Sequence, residues 1–98
     1  MRYNFEWDPR KAADNLRKHR VAFELAAEVF RDPFAVTVFD EEHSDGEERW
    51  ITMGTDRAGR VHVVVHTFAA QSESEALVRL ISARKPTRRE LAQYEGRT

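Results

Sequence analysis

The chain contains no cysteine, and only three prolines and four glycines in 98 residues. Without thiols it has no disulfide, no thiolate nucleophile and no Cys-type zinc site, and a reducing cytoplasm is compatible with it. No apolar run approaches the ~20 residues of a membrane span, and the opening "MRYNFEWD" lacks the pattern of a signal peptide. Repeats, linkers and low-complexity blocks are missing too. So is net charge: 16 Lys and Arg against 17 Asp and Glu leave −1, which argues against a protein that coats nucleic acid indiscriminately. What remains is a hydrophobic fraction of 41% and a charged fraction of 34%. That composition predicts one soluble domain over residues 1–98, burying roughly two-thirds of the surface its unfolded chain exposes.

The charges are unevenly spread. Residues 1–50 hold eight basic and twelve acidic side chains, and residues 51–98 hold eight and five. The halves are therefore −4 and +3, which suggests a local anion site in the second half and a cationic contact for the first.

Periodicity sets the elements. "YNFEW" predicts a short strand. "DPRKAADNLRKH" opens with Asp8 as a helix N-cap and Pro9 at the first helical position, and ends at Lys18 and His19. Ala12 and Leu16 give this helix a narrow apolar face. In "FELAAEVFRD", Phe23, Ala26, Ala27 and Phe30 recur at helical spacing until Asp32-Pro33 stops the run. Period two then takes over. "AVTVF" is a strand, "DEEHSDGEE" an acidic loop, and "RWITMGT", "DRAGR" and "VHVVVHTF" a hairpin. After the loop "AAQSESE" comes the strand "ALVRLISA", apolar on both sides, which suggests a central strand or one covered on both faces. Thr87 with Glu90 three residues later is a capping box opening the last helix. The order β-α-α-β-β-β-β-α predicts an α+β fold: an antiparallel sheet with two N-terminal helices and a C-terminal helix, the helices on one face. Trp7 and Trp50 read as core.

The segment "RLISARKPTRRELAQYE" poses a chemical question. Five cations, Arg79, Arg84, Lys85, Arg88 and Arg89, gather at a strand-to-helix junction whose free N–H groups are already positive. Cations in a first helical turn oppose the macrodipole by a few tenths of a kcal/mol each. An anion such as phosphate resting among them accounts for the arrangement; so does a solvated patch or a docking surface for an acidic partner. Arg79, in mid-strand beside Leu77 and Ile81, must snorkel, pair with a carboxylate or reach into a cleft.

Three segments, "FEWDPRKAADNLRKH", "DEEHSDGEERW" and "RLISARKPTRRELAQYE", resemble the signature segments of the BrnT toxin family in order and spacing, nearly end to end. The patterns are "WD..K...N..KH", "HS..E.R" and "ISAR.....E...YE". The resemblance implies a RelE-like fold and an RNA-cleaving toxin of a bacterial toxin–antitoxin pair. It also implies a co-encoded ribbon-helix-helix antitoxin, a paired 2:2 assembly with it, and binding of that assembly to its own promoter DNA. The chain departs from the family at Arg20, where glycine is usual, at Pro86, and in a longer "AAQSESE" connection.

Cleavage of the implied kind needs no metal and no cofactor. It requires a 2′-hydroxyl activated by a base, a proton for the leaving oxygen, and cations around the pentavalent phosphate. Arginine suits the last task because it stays charged and binds two phosphate oxygens at once. Arg79 and Arg84 are the first candidates. A regular strand would put them on opposite faces, so the strand is expected to end near Ala83 and free Arg84. Arg49 is a third candidate, or else a salt-bridge partner of Glu47 or Glu48. His43 suits acid–base work near neutral pH, or a loop hydrogen bond to Ser44 or Asp45. Tyr94 serves as a phosphate donor or as a core-facing ring. Lys11, Lys18, His19, Lys85 and Arg88 are the implied RNA contacts. Glu90 is spoken for by the capping box. His62 and His66 share a strand face ~13 Å apart, too far for one metal ion, and the acidic loop reads as solvated rather than metal-binding. The competing class is a non-catalytic module whose basic patch docks a partner protein.

Overall fold

The computed structural model describes residues 1–96. The chain forms β1 (Arg2–Glu6), α1 (Pro9–His19), a single α-helical turn α2 (Phe23–Ala26) that tightens into a 3₁₀ turn (Ala27–Arg31), and β2 (Val36–Phe39). A second 3₁₀ turn (Glu41–His43) lies within the acidic loop. Then come β3 (Trp50–Thr55), β4 (Val61–His66), a two-residue β5 (Ala69–Ala70), β6 (Glu75–Arg84) and α3 (Arg88–Tyr94). The α+β class and the element order hold, with β5 added inside the segment that reads as loop. The second predicted helix changes character after one turn.

The six-stranded sheet runs β1-β6-β4-β3-β2, with β5 also on β6. It is antiparallel from β2 through β6, as predicted. β1 joins β6 in parallel, from Arg2 beside Glu75 to Glu6 beside Arg79, so the whole sheet is mixed. Local hairpin logic misses this pair because its strands meet only after nearly the entire chain has intervened.

α1 follows its sequence signals. The Asp8 carboxylate accepts from the Arg10 N–H at 2.8 Å, and Pro9 occupies the first turn. Its last cap is Arg20 at φ 61°, the left-handed region where glycine is favoured. Asn15, nearly fully buried, holds α1 to the sheet: its Nδ2 donates to Ala83 O at 2.8 Å and to Val21 O at 3.0 Å. Its Oδ1 accepts from Ala83 N at 3.0 Å. β1 ends opposite Arg79, so Asn15 supplies at Ala83 the hydrogen bonds that a longer β1 would have made.

The core lies between the inward sheet face and α1–α2: Val21, Phe23, Ala26 and Val29 pack on Val64, Val78, Leu80 and Ala83. Trp7 meets Phe23 edge-on, as its core reading predicts. Trp50 is only half-buried and packs edge-on against Phe39. α3 departs from the one-face expectation, being tied to Arg84 and, through Asp32, to Thr55, both outward-facing by register.

Candidate active site and RNA-binding face

β6 does not run regularly. Val65 pairs with Ser82 while His66 pairs with Leu80, so Ile81 is an extra residue in a β-bulge. A bulge shifts side-chain parity by one. Ala76, Val78 and Leu80 face the core before it, and Ala83 faces the core after it. Arg79 and Arg84 therefore share the outward face. The strand continues through Arg84 instead of ending near Ala83; the bulge, not an early end, brings the two together on one side. At ~3.3 Å per residue their backbones are about 15 Å apart.

All three signature segments converge on this strand. From the first, Trp7, Asp8 and Asn15 serve packing, capping and the Ala83 clamp. Lys11, Lys18 and His19 are left at the surface, lining a groove of about 250 Å³ with Ile81 and Ser82. From the second, Glu47 forms a short ion pair with Arg79, settling that arginine's pairing while leaving it about two-fifths exposed. Ser44 braces the loop by accepting from the Arg49 N–H at 3.0 Å. His43 pairs with Asp40 at 3.1 Å, rather than with Ser44 or Asp45. A carboxylate at Nδ1 makes that nitrogen the donor, so Nε2 is the imidazole's available base, on a side chain that is 63% exposed. Arg49 forms no ion pair with Glu47 or Glu48; its Nε is buried without a hydrogen-bond partner among the described residues.

The third segment closes the far end. Arg84 grips Glu90 through both arms of its fork, at 2.8 and 2.9 Å. That guanidinium, against the opposing effect of burial, brings the Glu90 carboxyl down to about 2, with the Thr87 N–H assisting. The Thr87–Glu90 capping box is complete in both directions. Tyr94 donates a short hydrogen bond to Asp32, whose Oδ2 also accepts from the Thr55 N–H at 2.9 Å. Burial and the Asp32 carboxylate raise the Tyr94 hydroxyl above its ordinary range. Arg88 is exposed in the first turn of α3, and Lys85 lines a separate cleft.

The five catalytic candidates thus fall into two groups. His43, Arg49 and Arg79 gather with the acidic loop, and Arg84 with Tyr94 gathers at the α3 end. Sequence reasoning missed Ser82 on the outward face and Glu47 as the residue holding Arg79, although Glu47 stands inside the "HS..E.R" pattern. His62 and His66 are held apart, His62 by Asp56 at 2.7 Å and His66 by Thr52 at 2.7 Å. Among the described residues, no group of three His, Asp or Glu is placed to hold a metal ion.

A small mixed sheet clamped by two N-terminal helices, with Arg79 and Arg84 on the outward face of its central strand, defines a small α+β domain. The chain belongs to the family described as the ribonuclease toxin, BrnT, of type II toxin–antitoxin systems, which it matches over residues 7–90. Its structure is similar to the crystal structure of the Brucella abortus ribonuclease toxin BrnT. The TM-score is 0.59 at 21% identity, covering 90% of this chain and 100% of that one, a likeness of fold. Comparison with curated protein sequences gives no match.

Proposed function

We propose that the chain acts as a single, metal-independent endoribonuclease toxin domain in the cytoplasm, with the outward face of β6 as its reactive surface. The observation that carries this reading is the bulge at Ile81, which puts Arg79 and Arg84 on one face beside the groove of Lys11, Lys18 and His19. In this mechanism His43 Nε2, its tautomer fixed by Asp40, takes the 2′-hydroxyl proton as the 2′-oxygen bonds to phosphorus and the P–O5′ bond breaks. This leaves a 2′,3′-cyclic phosphate and a 5′-oxygen that takes its proton from water. Arg79, released from Glu47 as the phosphate arrives, and Arg49 hold the developing charge. Arg84 and Tyr94 take the neighbouring part of the RNA, with Lys85 and Arg88 further along. A ribbon-helix-helix antitoxin in a 2:2 complex that binds its own promoter DNA neutralises the toxin.

The test is expression without the antitoxin, with growth and total RNA followed over time, then cleavage by purified protein in EDTA. Growth arrest with metal-free cleavage is expected; cleavage lost in EDTA and restored by Mg²⁺ would remove the metal-free mechanism. Arg79→Lys keeps the charge and loses the fork, and should cost ~3–4 kcal/mol of transition-state stabilisation, a hundredfold to a thousandfold in kcat. Arg84→Lys should act through KM.

A second reading draws on the ion pairs themselves. Arg79 and Arg84 are each satisfied within the chain, as residues of a docking module would be. Near-normal cleavage and toxicity in both lysine variants would decide for it.

A further inference from the structure

The end of α1 separates two basic hollows: His19 lines the groove beside Ser82, and Arg20 lines a second cleft of about 630 Å³. This cleft also takes in Arg60, Lys85 and His62, between the apolar side chains of Leu25 and Leu91, with Glu95 among its lining residues. Its volume falls in the ~300–1,000 Å³ range of small-molecule sites.

Three independent features make it a built site. Arg20 holds a left-handed backbone at φ 61° and ψ 28°, which a residue with a Cβ adopts only at a cost. Among the described residues the side chains of Arg20 and Lys85 form no ion pair, and Arg60 engages Asp56 through Nε at 3.2 Å. The third feature is His62, only 7% exposed, whose Nε2 is held by the fully buried Asp56 carboxylate at 2.7 Å. Burial alone would raise the Asp56 carboxyl; hydrogen bonds from His62 and from the Arg60 and Ala58 N–H groups bring it down to about 2. The other ring nitrogen of His62, Nδ1, is buried with no hydrogen-bond partner among the described residues. With Nε2 donating to Asp56, Nδ1 lacks a donor that a ribose hydroxyl or a carried water supplies.

We infer that this cleft is a nucleotide subsite, in which a backbone phosphate of the RNA sits among Arg20, Arg60 and Lys85 and its base lies against Leu25 and Leu91. The inference rests on the ribonuclease reading and extends it to a second surface. Arginine forks pair two phosphate oxygens, and an apolar wall accepts the face of a base. An acidic peptide would use the cations and leave the wall unused.

The experiment is titration of the full chain with uridine 5′-monophosphate, followed by NMR through the His62 ring and the Arg20, Gly59, Arg60 and Leu91 amides. Inorganic phosphate, uridine and a Glu-rich peptide are titrated separately. The nucleotide should perturb these groups most, phosphate less, and uridine least. Arg20→Gly and Lys85→Ala should each weaken nucleotide binding about tenfold, the effect of losing one hydrogen bond to a charged group. Arg20→Gly should also raise the melting temperature, which separates lost binding from lost folding. In cleavage assays both variants should raise KM for RNA about tenfold, the loss confined to KM. The subsite is overturned if the nucleotide leaves the cleft signals unmoved, if both variants keep wild-type affinity, or if the peptide binds there more tightly than the nucleotide. Cleavage by the wild type without any cleft response overturns the subsite and leaves the ribonuclease reading standing. Cleft binding by a wild type that cleaves no RNA supports the nucleotide site and overturns that reading.

Discussion

At Arg20 the chain keeps a long cationic side chain where the helix end asks for glycine. The left-handed backbone of a residue with a Cβ costs roughly 1–2 kcal/mol. Arg20→Gly removes that strain but loosens the unfolded chain, so a net gain of about 1 kcal/mol is expected, read as a rise of roughly 4–8 °C in melting temperature. Gly54 is the opposite case. A Cβ there would stand 3.1 Å from Val29 Cβ and 3.2 Å from both Ala35 Cβ and Asp32 Oδ2. Backbone-borne neighbours on two sides cannot swing away, so Gly54→Ala should destabilise by about 1–3 kcal/mol in a denaturant titration. It should also disturb Asp32, and with it the Tyr94 anchor. Leu80, fully buried beside the bulge, should cost ~2–5 kcal/mol as alanine. Arg84→Ala removes a part-exposed pair and should stay within ~1 kcal/mol. A thermal loss at Arg84 equal to that at Leu80 would reassign Arg84 to structure.

At the scale of elements, β6 organises the molecule. Its first half pairs with β1 on one side and β5 on the other, and its second half pairs with β4 and is clamped by α1. Asn15 is the decisive contact, because it replaces a missing strand. Asn15→Ala would strand the Ala83 N–H and two carbonyls in a buried setting, costing about 3 kcal/mol. Hydrogen exchange should show β6 losing protection from Ala83 onward while the β3–β4 hairpin keeps its own; uniform loss along the sheet would deny Asn15 this local role. α3 depends on its end contacts, Arg84 with Glu90 and Tyr94 with Asp32. Removing either should free that helix before the sheet responds.

For the molecule as a whole, acid exposes how its polar groups were buried. Asp56 and Glu90, both brought to about 2, contribute stability that is fully present above their ordinary values of 3.8 and 4.5. That stability is lost as pH falls from there toward 2, because the unfolded chain takes up these protons first. His66 adds an earlier loss. Burial lowers its pKa against the help of the Thr67 carbonyl, so stability begins to fall as pH drops through its ordinary 6.5. Melting temperature against pH should therefore decline in two stages, and Asp56→Asn should flatten the acid one. A single decline unchanged by Asp56→Asn would refute this assignment. Charge also acts across the whole surface. The acidic first half and basic second half interlock through Glu47 with Arg79 and Glu28 with Arg57. RNA binding should consequently weaken steeply with salt, as phosphate contacts do.

Local chemistry was enough for the sequence alone to determine the elements with strong end signals: Asp8-Pro9 opening α1, Thr87 with Glu90 opening α3, and the alternating β3 and β4. Motif spacing also marked Arg79, Arg84, His43 and Tyr94 before any contact was known, because a family pattern records residue types at positions. Only the tertiary structure decided how those residues are held. The parallel β1–β6 pair, the Asn15 clamp and the Arg79–Glu47 pair join residues 32 to 73 positions apart, and no local propensity encodes such partners. The bulge at Ile81 shows the reason most directly. Arg79 and Arg84 have opposite parity in the chain, and one extra residue against β4, visible only when the two strands are paired, turns them to the same face.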